Sequence, residues 1–169
     1  MNEVSVQTED FDTGVETTRL RALSAHTGAI ATFIGVVSES VGVVSEGIGA
    51  VSDSNENSRI VSLYLEHYPG MTEKSIAAIV QQAQQRWPLL GVRVIHRIGE
   101  LQRGEQIVFV GVSSRHRGAA FDACEFIMDY LKTRAPFWKK ETTQNGVHWV
   151  DARASDCAAA KRWESNDSA

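Results

Sequence analysis

The stretch LKTRAPFWKKE, Leu131 to Glu141, sets four cations around a proline and two large aromatics. Ammonium groups beside bulky rings can do electrostatic work, because rings exclude water and a drier cleft strengthens a lysine's pull on negative charge developing in a reaction. Lys132 and Lys139 are the candidates for that chemistry. Each also has a plainer reading. Lys132 falls in the last turn of a predicted helix, where the dipole favours a cation without any function. Lys139 falls on a predicted strand, where alternation puts Lys139 and Glu141 on one face and Trp138 and Lys140 on the other; solvated surface lysines are common there.

A second basic cluster, SSRHRGAAF from Ser113 to Phe121, places His116 and Arg117 where a strand ends and a helix begins. The free N–H groups and partial positive charge of a helix N-terminus, joined by an imidazole and a guanidinium, would suit a phosphate. A solvated surface turn is the alternative.

Periodicity indicates the elements that must position these residues. GAIATFIGVV (Gly28 to Val37) is apolar and β-branched and reads as a buried strand. IVSLYLEHY (Ile60 to Tyr68) alternates as a strand. Pro69 and Gly70 turn the chain, and Thr72 is the expected N-cap of a helix with Ile76, Ile79, Val80, Ala83 and Trp87 at helical spacing. VRVIHRIG and QIVFVGVSS form a predicted hairpin across the turn-like ELQRGE. A second helix runs from about Arg117 to Thr133, burying Phe121, Cys124, Ile127, Met128 and Leu131, and Pro136 stops it. Two short strands then flank Gln144-Asn145-Gly146, a hairpin signal. This irregular order argues α+β, with no domain boundary within residues 1–169. Met1 to about Ala25 is polar and acidic and reads as a loosely packed N-terminal arm. GVVSESV, GVVSEGI and GAVSDSN, beginning at Gly35, Gly42 and Gly49, repeat every seven residues. Their glycines oppose a coiled coil, so about 38–58 reads as a mobile, duplicated loop.

The chain's 169 residues, 43% hydrophobic and 22% charged, suffice for one good core. A net charge of -4 provides no overall basic field for nucleic acid, so anion sites must be local. No run approaches the roughly 18 apolar residues of a membrane span, and the acidic start lacks a signal peptide's pattern, so a cytoplasmic protein is expected. Cys124 and Cys157 lack metal-ligand spacing; free thiols are expected, with neither a zinc site nor a disulfide framework. A persulfide relay is disfavoured: Cys124 lies on a helix's apolar stripe and Cys157 in the tail ASDCAAAKRW without an activating motif.

LEHYPGMTEKSIAAIV, the run from VIHRIGELQRGEQ through SSRHRGAAFDACEFIMDYLKTRAPFWKKE, and the closing HWVDAR resemble the large, catalytic subunit of molybdopterin synthases, over about Gly28 to Trp163 apart from the repeat. The resemblance implies an α+β fold of the α/β-hammerhead type, with mixed antiparallel sheets and two main helices. It implies sulfur transfer to cyclic pyranopterin monophosphate, forming the dithiolene of molybdopterin. The sulfur donor would be a small ubiquitin-like carrier whose Gly-Gly tail ends in a thiocarboxylate. Dimers of the large subunit would hold one carrier at each end, a heterotetramer with no cofactor of its own. Lys132 and Lys139 match the family's catalytic lysines, assigned to the carrier's carbonyl and to the pterin side chain respectively. His116, Arg117, Lys140 and Glu141 match substrate contacts, with Met128 as an apolar wall. One departure stands out: Ser38 occupies the place of a family arginine, and Arg59, at the far end of the repeat, is the possible replacement. A scaffold that docks the carrier without efficient turnover is the alternative function.

Overall fold

The computed structural model describes residues 2–38, 60–143, 146–150 and 154–164. Strands Asn2–Gln7 (β1), Ala29–Val36 (β2), Ile60–His67 (β3), Leu89–Arg97 (β4), Gly99–Gln102 (β5), Gln106–Ser114 (β6), Phe137–Thr143 (β7) and Gly146–Val150 (β8) are joined by helices Thr13–Ala22 (α1), Met71–Arg86 (α2), Arg117–Arg134 (α3) and Ala154–Lys161 (α4). The strands make two four-stranded sheets, ordered β1-β4-β6-β2 and β5-β3-β7-β8. Every pairing is antiparallel except β1 with β4. This is the expected α+β architecture, with α2 and α3 as its longest helices. Among the described residues no helix is long and apolar enough to cross a membrane. The repeat, apart from its first residues to Ser38, and Arg59 lie outside the described residues.

The two faces of the first sheet carry two different cores, as strand alternation requires. Val92 and Val94 of β4 and Val108, Val110 and Val112 of β6 form one cluster with Ile76, Ile79, Val80 and Ala83 of α2 and the apolar stripe of α3. Ile95 and Phe109 face the other way and pack with Phe11 and with Leu20 of α1. Leu20 is fully buried, and the first carbon of any side chain on Gly111 would collide with its Cδ1, so only glycine lets α1 approach β6.

The N-terminal segment is therefore not a loose arm. Its β1 pairs in parallel with β4, and two buried arginines of β4 tie down the segment from Ser5 to Glu16. Arg93 donates from Nε to Glu16 at 3.1 Å and from Nη1 to Ser5 Oγ at 2.8 Å. Arg97 donates to the carbonyls of Thr8 and Gln106 at 3.1 and 3.0 Å. The segment's polarity, which suggests solvation, instead supplies partners for these guanidinium groups.

Other expectations shift by a residue or an edge. Strand β2 lies at a sheet edge, and Phe33, Ile34 and Val36 are exposed, so it is half-exposed rather than buried as its apolar composition suggests. In α3 the buried stripe runs through Ala120, Ala123, Cys124, Ile127 and Leu131, leaving Phe121, one step of about 100° around the helix, 64% exposed. Strands β4 and β6 do pair, but residues 99–102 of the intervening stretch form β5 and join β3 in the second sheet. Gly99 (φ 83°) and Gly104 (φ 85°) take the left-handed backbone that this detour needs. Gly70 (φ 79°), not Thr72, precedes α2, and its N–H donates to Glu73 Oε2 at 2.6 Å. Thr72, wholly buried, accepts from the Tyr68 N–H and donates to the Pro136 carbonyl at 3.1 Å, which joins the start of α2 to the turn before β7.

The same turn is held by His96, whose ring stacks on Phe137 with centroids 3.8 Å apart. Burial pushes the His96 imidazole down to about 4, and the neighbouring His67 adds to the effect, while the hydrogen bond to the Arg97 carbonyl opposes it.

Leu20→Ala should destabilise the protein by about 2–5 kcal/mol, read by urea unfolding, because it opens a cavity between α1 and β6. A loss below about 0.5 kcal/mol would mean that α1 contributes nothing to the core. A second expectation concerns pH. An unfolded histidine takes up a proton near 6.5 while folded His96 stays neutral to about 4, so the unfolded chain binds more protons in that window. Stability should then fall as pH drops from 6.5 to 4, by on the order of 2–3 kcal/mol from this group alone. His96→Phe keeps the stacked ring and should flatten that part of the profile; an unchanged slope would contradict the assignment.

Candidate active site

The candidate residues sit on one continuous path: the end of β6, all of α3, and β7. Ser114 ends β6, and its Oγ donates to the Pro88 carbonyl at 3.0 Å, which anchors the last strand residue. Gly28 lies so near the Arg115 backbone that a Cβ would collide with the Arg115 carbonyl oxygen. That close approach fixes the strand-to-helix turn. His116 then caps α3 with extended backbone (φ -129°, ψ 142°) and no side-chain capping bond. The side chains of Arg115, His116 and Arg117 are exposed, and none has an acidic partner among the described residues. An unneutralised cluster at a helix N-terminus is suited to bind an anion.

Lys132 occupies the other end of the same helix. With a rise of 1.5 Å per residue, the backbones of Arg117 and Lys132 stand about 22 Å apart, too far for their side chains to hold the same group of atoms. Met128, one turn before Lys132 on the same face, is buried in the main core. The helix stops at Ala135, whose extended backbone (φ -80°, ψ 127°) is the conformation favoured before Pro136.

Strand β7 separates the next three candidates by alternation. Lys139 and Glu141 lie opposite Leu65 and Leu63, whose side chains belong to the small core of the second sheet. Their charges meet directly, Lys139 Nζ to Glu141 Oε1 at 2.6 Å. Lys140 faces the opposite side, between its cross-strand neighbours Tyr64 and Trp149, with Nζ 5.9 and 5.5 Å from the two ring centroids. The expected division of faces holds. Lys139 and Glu141 are together, Lys140 is apart from them, and Tyr64 and Trp149 are contacts that no sequence spacing announced.

One further residue enters only through the fold. Asp156, in the first turn of α4, places Oδ1 3.2 Å from Lys132 Nζ. The alanine-rich tail forms this helix, and the signal available in the residues was the Ser155-Asp156 pair heading an alanine run. Each of the two lysines thus has a carboxylate against its ammonium group.

Both the sequence and the fold match known proteins. The family model described as MoaE protein matches residues 6–134. The molybdopterin synthase catalytic subunit of Vibrio cholerae is 55% identical over 163 residues, 96% of this chain and 99% of that protein. Among solved structures, the molybdopterin biosynthesis MoaE protein from Burkholderia ambifaria superposes with a TM-score of 0.77 at 45% identity, covering 97% of this chain and 99% of that one. Molybdopterin synthase from Staphylococcus aureus has a TM-score of 0.69 at 30% identity, covering 86% and 95%. A helix with basic residues at both ends, a lysine-bearing strand after it and a match along nearly the whole chain all lead to one assignment: the chain belongs to the MoaE protein family.

Proposed function

We propose that this chain is the catalytic subunit of a molybdopterin synthase. It takes sulfur from the terminal thiocarboxylate of a small ubiquitin-like carrier and delivers it to cyclic pyranopterin monophosphate, as a step of molybdenum cofactor biosynthesis in the cytoplasm. The observation that carries the reading is near full-length likeness to catalytic subunits in a chain whose two lysines flank the single turn between α3 and β7.

The chemistry rests on charge. The thiocarboxylate sulfur is an anionic nucleophile; as it bonds to a side-chain carbon of the pterin, an oxygen substituent of that carbon leaves with the C–O bonding pair, and carrier and substrate become joined through an acyl–sulfur link. Water then breaks the acyl–sulfur bond, the carrier leaves as a carboxylate, and sulfur stays on the substrate. A second loaded carrier repeats the sequence for the second sulfur. Negative charge builds on the carrier's carbonyl oxygen during acyl release, where Lys132 acts; Lys139 acts at the pterin side chain. Glu141 holds Lys139 and accepts hydrogen bonds from pterin donors.

His116 and Arg117 take the substrate's phosphate. Their distance from Lys132 along α3 is the reason to bring in a second copy of the chain: in a homodimer the basic N-terminus of one α3 can serve the lysines of the other. Lys140 contacts substrate only in such a shared site, because its own sheet lies between it and Lys139. Ser38 is exposed just beyond β2 and carries no charge, so the phosphate contact rests on the His116 cluster.

Reconstitution with a thiocarboxylated carrier and cyclic pyranopterin monophosphate tests the whole reading, with molybdopterin as the product to detect. In single-turnover assays Lys132→Ala and Lys139→Ala should each lose about 100- to 1,000-fold in rate. Carrier binding should persist, since an interface spreads its energy over several anchors. A wild-type rate in either variant would remove that lysine from the mechanism, and binding without any turnover by the unaltered chain would favour a scaffold. Cysteine chemistry is separable. Burial, with Glu125 adding to it, pushes the Cys124 thiol up to about 12, far from a reactive thiolate, while Cys157 is exposed. The double variant Cys124→Ala, Cys157→Ser should transfer sulfur at close to the wild-type rate; loss of transfer with a normal melting temperature and carrier affinity would require a persulfide step.

A further inference from the structure

We infer that Asp156 is a positioning residue for Lys132, holding its ammonium group where the carrier's terminal carbonyl arrives. The inference rests on the assignment of Lys132 above.

A lysine at the end of a helix has four side-chain torsions and loses much of its rotamer freedom when it is held in one direction. Lys139 receives its partner locally, because Glu141 is two positions along the same strand. Lys132 has no such neighbour: on its own helix Asp129, three residues earlier, is taken by the tail. The Asp129 carboxylate accepts from Trp163 Nε1 at 2.7 Å and from Arg162 Nη2 at 2.8 Å. These bonds belong to an anchor for α4. The Trp163 ring packs edge-on against Trp87 and Phe126, its carbonyl accepts from Arg86 at 3.1 Å, and Ala160 is buried in the main core. Glu164 pairs with Arg134 at 2.9 Å.

The helix is thus fastened at its far end by burial and several hydrogen bonds, and its first turn presents Asp156 to Lys132. The ion pair adds little to that fastening. With Lys132 half-exposed, such a pair is screened by solvent and contributes little, so stability does not explain the contact. Geometry gives it a use. An ammonium group has three N–H donors, and one directed to Asp156 leaves two for a carbonyl oxygen. The acid near the start of α4 also meets the helix dipole favourably, which keeps the carboxylate in place before the carrier arrives.

The test is a double-mutant cycle in the reconstituted reaction, using single turnover with saturating thiocarboxylated carrier and cyclic pyranopterin monophosphate. Asp156→Asn keeps the shape of the side chain and should slow transfer by about ten- to a hundred-fold, the range expected when a reacting group is misplaced by an ångström or less. The melting temperature should stay within about 3 °C of wild type, and carrier Kd within about threefold. Asp156→Glu should recover part of the rate. The combination Lys132→Ala with Asp156→Asn should be no slower than Lys132→Ala alone, because Asp156 acts through that lysine. A wild-type rate in Asp156→Asn beside an impaired Lys132→Ala overturns this inference and leaves the lysine assignment standing, as do losses that multiply in the double variant. A wild-type rate in Lys132→Ala overturns both.

Discussion

The burial of one helix stripe against one sheet face sets the position of every group proposed for catalysis. Helix α3 can dock only with Ala120, Ala123, Cys124, Ile127 and Leu131 against the valines of β4, β6 and their neighbours, since this is its continuous apolar surface. Once docked, its N-terminus lies where β6 delivers His116, and its C-terminus lies where Pro136 turns the chain into β7. The ends of the helix cannot be adjusted separately. A shift of one residue in the stripe would rotate Lys132 by about 100° and carry it away from α4.

Three kinds of charge management coexist in the molecule. The buried arginines Arg93 and Arg97 are paired with carboxylates, a hydroxyl and carbonyls, as guanidinium groups out of water must be. The half-exposed Lys132 and Lys139 each keep one carboxylate and retain donors for a ligand. The first arrangement holds the N-terminal segment onto the sheet, and the second leaves cations available to a ligand. His116 and Arg117 are the third case, exposed with no acidic partner among the described residues, as an anion site that must fill from solution requires.

The strand after α3 adds a constraint of its own. Period-two alternation sends Lys139 and Glu141 toward the leucines of β3 and sends Lys140 between Tyr64 and Trp149. Three adjacent charged residues therefore serve two surfaces. This division, with the length of α3, is why a single copy of the chain does not gather all the candidate residues, and why a dimer fits the chemistry better than a monomer.

Much of this was legible in the residues themselves. Helical spacing from Ile76 to Trp87, strand alternation in β3 and β7, Pro136 as a helix stop and the basic clusters at Arg115–Arg117 and Lys132–Lys140 are local features, and local backbone preferences determine them. The carboxylate of Glu141 belongs to this class, because two residues apart on a strand means the same face. Contacts between distant segments had no such signal. The N-terminal segment looks solvated in sequence because its acids and hydroxyls find their buried partners about eighty residues away, on β4. Phe121 looks buried because residue type cannot tell which of two adjacent positions faces the sheet. Asp156 looks like an ordinary tail residue, and only the docking of Trp163 among Trp87 and Phe126 brings it to Lys132. Sequence alone determined which elements form and which side chains share a face; tertiary packing decided which charges meet, because an ion pair depends on distance in space, and the burial of apolar surface far from the charges sets that distance.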